Sequence, residues 1–404
     1  MSNNTQDILD LYKANVMPTY APSLVLASGT GVTVRDVDNR VYYDFTSGIG
    51  VHNVGHCNPR VVEAIREQAG AMTHCSNLFV NAPATLLAKK LVELSGLGGK
   101  AFFCNSGAEA NEAAIKLARK WGSQNGGRYE IVTMRQGFHG RTLATLAATG
   151  QSWCQEGYDP LPVGFAYADY NDIESVKAAV TDKTVAIMLE AVQGEGGVTP
   201  ATPEFMAGVR ALCDEKNLLM ICDEVQCGMG RVGTRFAYQS FGVEPDALSM
   251  AKAIANGIPM GGFIVRRKFA DTLTVGTHAS TFGGTALACA AALAVQEAFD
   301  KDGVLENCRE QGAYLMAKLA EMGRKYPFVQ QVRGKGLMIG VVLDRPAAGL
   351  SALCLKRRLV TLTAGENVLR LLPPLIISRA EADLALERIA GAMEEFAAEC
   401  EVKK

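Results

Sequence analysis

Lys252 closes a short apolar run, Asp246-Ala247-Leu248-Ser249-Met250-Ala251-Lys252, and a glycine-bearing turn follows, Ala253-Ile254-Ala255-Asn256-Gly257-Ile258-Pro259-Met260-Gly261-Gly262. A lysine at a strand end, beside glycines that let a ligand approach the backbone, is placed to form a Schiff base with an aldehyde. Alone it says little, because a lysine before a glycine turn is ordinarily a solvated surface group. Asp223 adds weight. The run Leu218-Leu219-Met220-Ile221-Cys222 reads as a buried strand, with Asp223 at its carboxyl end, where open α/β sheets bind ligands. A carboxylate for a pyridinium nitrogen and an amine for an aldehyde carbon are the two protein groups that pyridoxal phosphate chemistry most needs.

Asn105-Ser106-Gly107-Ala108 lies between a predicted strand and a helix rich in Ala and Glu. A helix start offers unsatisfied N–H groups and a positive dipole end, which suits a phosphate. The same residues also read as an ordinary N-cap, Ser106 capping and Glu109 completing a capping box. Arg141 carries a planar fork that matches a carboxylate. Nucleotide readings are weak: no Gly-x-x-x-x-Gly-Lys-Ser/Thr loop is present, and Gly334-Lys335-Gly336-Leu337-Met338-Ile339-Gly340 misses dinucleotide spacing by one residue. The histidines other than His52 offer no His-x-x-x-His pair and no Cys-x-x-Cys pair exists, so no metal site is expected.

The elements that must position these groups alternate from about residue 60 to 290. Strands are predicted at Ala101–Cys104, Glu130–Met134, Val185–Glu190, Leu218–Cys222, Ala247–Met250 and Gly262–Val265, with helical patterns between them such as Ala108–Trp121 and Pro203–Lys216. That is the pattern of an α/β fold with a mostly parallel sheet flanked by helices. Near the N-terminus, Val32 to Tyr43 reads as a hairpin turning at Asp38-Asn39, and residues past about 300 mix helices with short strands.

A chain of 404 residues can bury a large core, and its length suggests two domains or three. A hydrophobic content of 48% with 20% charged residues is that of a globular enzyme rather than a disordered chain. The net charge of −2 disfavours nucleic-acid binding. Met1 to Val16 is polar, and no apolar run approaches the roughly 20 residues that span a bilayer, so a cytoplasmic location without membrane contact is expected. Most of the eleven cysteines, which lack paired spacing, are expected to be reduced core thiols.

Several long motifs occur in order: Phe103-Cys104-Asn105-Ser106-Gly107-Ala108-Glu109-Ala110-Asn111-Glu112, Phe138-His139-Gly140-Arg141-Thr142, Gln193-Gly194-Glu195-Gly196-Gly197, Asp223-Glu224-Val225-Gln226, Lys252 and Thr277-His278-Ala279-Ser280-Thr281-Phe282-Gly283-Gly284. From about Tyr20 to Pro374 the chain resembles the class III (ornithine-type) aminotransferases of fold type I, and among them the acetylornithine/succinylornithine branch. The resemblance implies a large pyridoxal-phosphate-binding domain over residues 51–295. A smaller α/β domain would combine residues 1–50 with 296–404. It implies that Ser106, Gly107 and Ala108 hold the cofactor phosphate, Phe138 stacks on its ring, Asp223 holds the ring nitrogen, Gln226 bonds the phenolic oxygen and Lys252 binds the aldehyde. It further implies that Arg141 grips the donor α-carboxylate, that Glu195 pairs with Arg370 as a switch between two substrates, and that Thr281 and Ser280 reach phosphate and substrate in the neighbouring subunit of a homodimer. Cys227, His52 and Thr285 depart from the usual residues of the family.

The expected reaction moves the terminal amino group of N2-acetylornithine to 2-oxoglutarate. Succinylornithine, N-succinyl-diaminopimelate, ornithine, lysine and 4-aminobutyrate remain alternative donors, and a non-catalytic pyridoxal phosphate carrier and a nicotinamide oxidoreductase are the readings from other classes.

Overall fold

A computed structural model describes residues 4–402. Its centre is a seven-stranded sheet in the spatial order Lys100–Cys104, Gly261–Val265, Ala247–Met250, Leu219–Asp223, Thr184–Glu190, Glu130–Met134, Phe165–Ala168. Gly261–Val265 runs antiparallel to both neighbours, and the remaining pairings are parallel. Successive residues of a strand serve opposite faces. Met220 and Cys222 join Val132, Met134, Ile187 and Leu189 in one core, whereas Leu219 and Ile221 join Ile131, Met188 and the helix residues Leu117 and Trp121 in another. Both faces are covered, so these strands read as unbroken apolar runs. Each fully buried Leu or Ile among them contributes about 1.5–3 kcal/mol.

All six expected strands begin and end within a residue of their predicted bounds, and Glu130–Met134 and Ala247–Met250 match at both ends. Phe165–Ala168 was not expected. It is an edge strand, short and only half-buried, and its Phe-Ala-Tyr-Ala sequence carries neither an apolar run nor a clean alternation. The helix Pro203–Lys216 starts where Thr202 accepts from the Phe205 N–H and Pro203 occupies the first turn, and it stops at Asn217 in a left-handed conformation.

The chain ends meet. Thr33–Asp36 and Val41–Asp44 form the expected hairpin, with Asn39 at φ 64° in its turn. Leu359–Val360 then runs parallel beside Val41–Asp44 to complete a four-stranded sheet with Leu26–Thr30. A second four-stranded antiparallel sheet, Val329–Lys335, Met338–Leu343, Val368–Leu371 and Leu362–Ala364, carries Arg370. Residues 1–3 and 403–404, the extremes of the two terminal segments, lie outside the described residues. Among the described residues no helix is long and apolar enough to cross a membrane.

Candidate active site

The carboxyl ends of the parallel strands open onto a cavity of about 440 Å³ lined by Ser106, Gly107, Ala108, Phe138, Asp223 and Lys252, among others. Lys252 follows the strand Ala247–Met250 and sits at φ 46°, a region that non-glycine residues rarely adopt and that concentrates at functional sites. Its turn is tied down by Asn256, which accepts from the Val54 N–H at 3.2 Å and donates to the Gly55 carbonyl at 2.9 Å. Burial, with the Arg370 cation adding to it, holds the Lys252 ammonium below its usual pKa, against the pull of Glu195, Asp223 and Glu190. A neutral Nζ is the nucleophilic form.

Asp223 ends the strand Leu219–Asp223 and is 2% exposed. Its Oδ2 accepts from Asn111 Nδ2 at 2.7 Å and meets His139 Nδ1 at 2.8 Å, while Oδ1 accepts from the Val225 N–H at 3.0 Å and Ser249 Oγ at 3.3 Å. Burial pushes the His139 pKa down, but the Asp223 hydrogen bond and charge outweigh it and the net shift is upward. A fixed set of four donors thus compensates the burial of the Asp223 side chain. Asn111 and His139 are residues whose part here sequence reasoning did not assign. Their separation from Asp223, 112 and 84 residues, leaves no local signal.

At the start of the helix Gly107–Gln124 Ser106 is the N-cap. Its Oγ accepts from the Glu109 N–H at 3.2 Å, and the Glu109 side chain accepts from the N–H of Asn105, one residue before the cap, rather than from that of Ser106 as a capping box would. Gly107 and Ala108 still line the cavity with first-turn N–H groups that have no partner within the helix. A β-carbon at Gly107 would press on Val225 Cγ1 at 2.8 Å, in the cavity wall.

Phe138, half-buried, is anchored through its N–H to Glu190 Oε1 at 3.0 Å, and Glu190 Oε2 accepts from the Gly194 N–H at 3.1 Å. Glu190 thus joins the segment bearing Phe138 to the one bearing Glu195. It pairs in register with Asp223 on the neighbouring strand. Burial, with the Asp223 charge beside it, raises its pKa to about 7. This residue too was missed, although a carboxylate closing an otherwise apolar strand is a signal the sequence carries.

Arg141 is exposed and rests against the rings of Phe138 and Trp153, 5.4 and 5.1 Å from their centroids, with no carboxylate pair among the described residues. Arg370, 3% exposed, differs: its NH1 donates to Glu195 Oε1 at 2.6 Å and to Gln226 Oε1 at 3.1 Å. Gln226 Nε2 in turn donates to Glu195 Oε1 at 3.1 Å, so that Arg370, Glu195 and Gln226 are all bonded to one another. Burial raises the Glu195 carboxyl, but Arg370 outweighs it and holds it below the usual range. Ser280 and Thr281 are not brought into this cavity. They line a separate one with Asn105 and Glu109, where Ser280 Oγ accepts from Asn105 Nδ2 at 3.3 Å and Thr281 is exposed. Among the described residues no cluster of His, Cys, Asp and Glu could hold a metal ion.

The family model for class III aminotransferases matches residues 15–393. The chain belongs to the class III aminotransferases. It is 48% identical over 384 residues to the acetylornithine aminotransferase of Methanocaldococcus jannaschii, spanning 94% of this chain and 96% of that one. Among solved structures it is similar to the N-acetylornithine aminotransferase of Stenotrophomonas maltophilia K279a, with a TM-score of 0.83, 36% identity and coverage of 96% and 99%. It is also similar to an ornithine aminotransferase of Toxoplasma gondii with PLP at partial occupancy in its active site, with a TM-score of 0.94, 30% identity and coverage of 98% and 96%.

The cofactor of this class III aminotransferase is pyridoxal 5′-phosphate. The donor set of the cavity fits it: a buried carboxyl group, a lysine shifted toward its neutral form, first-turn N–H groups for a dianion and the apolar walls of Phe138 and Val225.

Proposed function

We propose that this aminotransferase moves the δ-amino group of N2-acetyl-L-ornithine to 2-oxoglutarate, giving N-acetyl-L-glutamate 5-semialdehyde and L-glutamate, a step of arginine biosynthesis in the cytoplasm. The observation that carries the reading is the contrast between Arg141, which lines the cavity, and Arg370, which is bonded to the lining residues Glu195 and Gln226. Arg141 is open, whereas Arg370 is covered by Glu195 and Gln226. An ω-amino donor brings its α-carboxylate far from the reacting carbon, which suits an open grip at a distance. A dicarboxylate such as 2-oxoglutarate or glutamate needs a second grip near the reacting carbon, and Arg370 supplies it when Glu195 swings aside.

In this reading Ser106, Gly107 and Ala108 bind the phosphate, Phe138 flanks the ring, Asp223 holds a proton on the ring nitrogen and Gln226 bonds the phenolic oxygen. Bound pyridoxal phosphate supplies an aldehyde that captures amines and a ring that takes up the electrons of a broken C–H bond. Lys252 Nζ would take the proton from the donor δ-carbon and deliver it to the cofactor's aldehyde carbon, so that the donor leaves as an aldehyde and its nitrogen stays on the cofactor; in the second half-reaction Nζ would carry a proton the other way, onto the 2-oxoglutarate carbon that becomes the α-carbon of glutamate.

The functional unit is proposed to be a homodimer, with Thr281 completing the partner's phosphate site and Ser280 its substrate site. Leu78 and Val80, each 88% exposed, adjoin this loop, and Asn77 Nδ2 donates to the carbonyls of Ser280 and Gly283 at 2.9 Å. A strip of this kind supports an interface. The division of the chain at residues 50 and 295 belongs to the same reading, supported by the sheet that both ends share.

A donor panel at fixed 2-oxoglutarate, ranked by kcat/KM, tests the assignment. Acetylornithine is expected to lead ornithine, lysine and 4-aminobutyrate. Arg141→Ala should lower kcat/KM for acetylornithine by at least about tenfold while sparing an ω-amine that lacks a carboxylate, because a lost charge-assisted pair of about 1.5–3 kcal/mol penalises only ligands that carry the anion. An unchanged value for acetylornithine would remove Arg141 from the substrate site.

A further inference from the structure

A second cavity of about 540 Å³ adjoins the first and shares Phe138, Arg141 and Glu195 with it; Gln151, Trp153 and Glu366 contribute to its other walls. Arg141 therefore stands on the boundary between the two. In an N2-acylated ω-amino donor the carboxylate and the acylated nitrogen sit on the same carbon. A carboxylate gripped by Arg141 leaves the acyl group beside the guanidinium, and the δ-amine must point toward Lys252. The acyl group is then directed away from Lys252, into the second cavity.

The charges around that cavity are uneven. Its one cation, Arg141, is taken by the α-carboxylate, and Glu195 is committed to Arg370 at 2.6 Å. What remains is the carboxylate of Glu366, an exposed residue whose own carbonyl accepts from the Ala347 N–H at 2.9 Å, which holds its turn in place. Trp153, 65% exposed, offers an apolar face, and Gln151 is pinned by its Nε2 donating to the Gln136 carbonyl at 3.0 Å. The lining accepts a methyl group and an amide, and it repels an anion.

We infer that this second cavity receives the N-acyl group of the donor and that Glu366 makes it select a short uncharged acyl group over one that ends in a carboxylate. The inference rests on the function proposed above and narrows it, since it sets acetyl apart from succinyl donors. Glu366 is exposed, so water and salt screen its charge and the effect is modest, about two- to fivefold for one charge.

The test measures kcat/KM for N2-acetylornithine and N2-succinylornithine with cofactor-loaded wild type, Glu366→Gln and Glu366→Lys. The succinyl-to-acetyl ratio is expected to rise about two- to fivefold in Glu366→Gln and further in Glu366→Lys. Added salt, to about 0.5 M, should raise the ratio in wild type and lower it in Glu366→Lys. A ratio that stays within about 1.5-fold of wild type in both variants, below the effect of a single screened charge, overturns the inference. So does a wild type that prefers succinylornithine. If neither acylornithine is turned over while another ω-amine is, the proposed function itself fails, a result distinct from an unmoved ratio.

Discussion

Asp223 concentrates the residue-scale argument. A carboxylate that is 2% exposed is costly unless it is bonded, and four donors converge on it: Asn111, His139, the Val225 N–H and Ser249. Replacing it by asparagine puts an NH2 group where Asn111 or His139 now finds an acceptor and, in the function proposed above, weakens the hold on the ring nitrogen. A hydrogen bond to a charged group contributes about 1.5–3 kcal/mol, so Asp223→Asn should slow turnover by roughly 10- to 150-fold. Steady-state kcat on enzyme saturated with cofactor checks this. A loss under about twofold, well below that range, would leave Asp223 with a structural part only. Lys252, Asp223 and the Ser106–Ala108 turn were legible because each has a local mark, a strand end or a helix start. The residues that hold Asp223 were not, since nothing in the neighbourhood of Asn111 or His139 names a partner on another strand.

The elements are locked to one another by buried carboxylates as well as by apolar packing. Glu224 follows the strand Leu219–Asp223, and its two oxygens accept from the N–H groups of Ala237 at 2.6 Å and Tyr238 at 2.9 Å, at the start of the turn Ala237–Phe241. Burial raises its pKa from the model-peptide value of 4.5 to about 7, with the Asp223 charge adding to the rise. Folding therefore favours the protonated form, so this group's contribution is fully present below about 4.5 and is lost as pH rises through about 7. Thermal unfolding followed across that window should show Tm falling with pH, and Glu224→Gln should flatten part of the fall while lowering stability throughout, because one of the two N–H groups loses its acceptor. An equally steep fall in the variant would assign the titration to other groups, Glu190 foremost, which burial also lifts to about 7. The strand positions themselves were legible from their apolar runs. That the strand Gly261–Val265 lies antiparallel between two others was not, because reversing a strand buried on both faces leaves its composition the same.

For the whole molecule the decisive question is which subunit Ser280 and Thr281 serve. They stand outside the Lys252 cavity of their own chain, beside the exposed Leu78 and Val80. If they complete the partner's site across a two-fold axis, Lys252→Ala and a variant with Ser280 and Thr281 both replaced by alanine are each inactive alone. Random reassembly at equal ratio then restores up to about a quarter of wild-type activity, since half the dimers pair the two variants and each of those has one intact site. No recovery, with subunit exchange shown by mass, would return both residues to their own chain.

Sequence alone determined the family and its cofactor and named Lys252 and Asp223 as the candidate reacting groups, because these depend on residue types at strand ends and helix starts, which local order along the chain specifies. Tertiary structure decided what surrounds them. It brought Arg370 onto Gln226 from 144 residues away, set Glu190 in register with Asp223, and placed Glu366 on the wall of a cavity that Arg141 borders. Such pairings arise when distant segments pack to bury their apolar faces, and the polar partners that meet there leave no pattern in either segment taken alone.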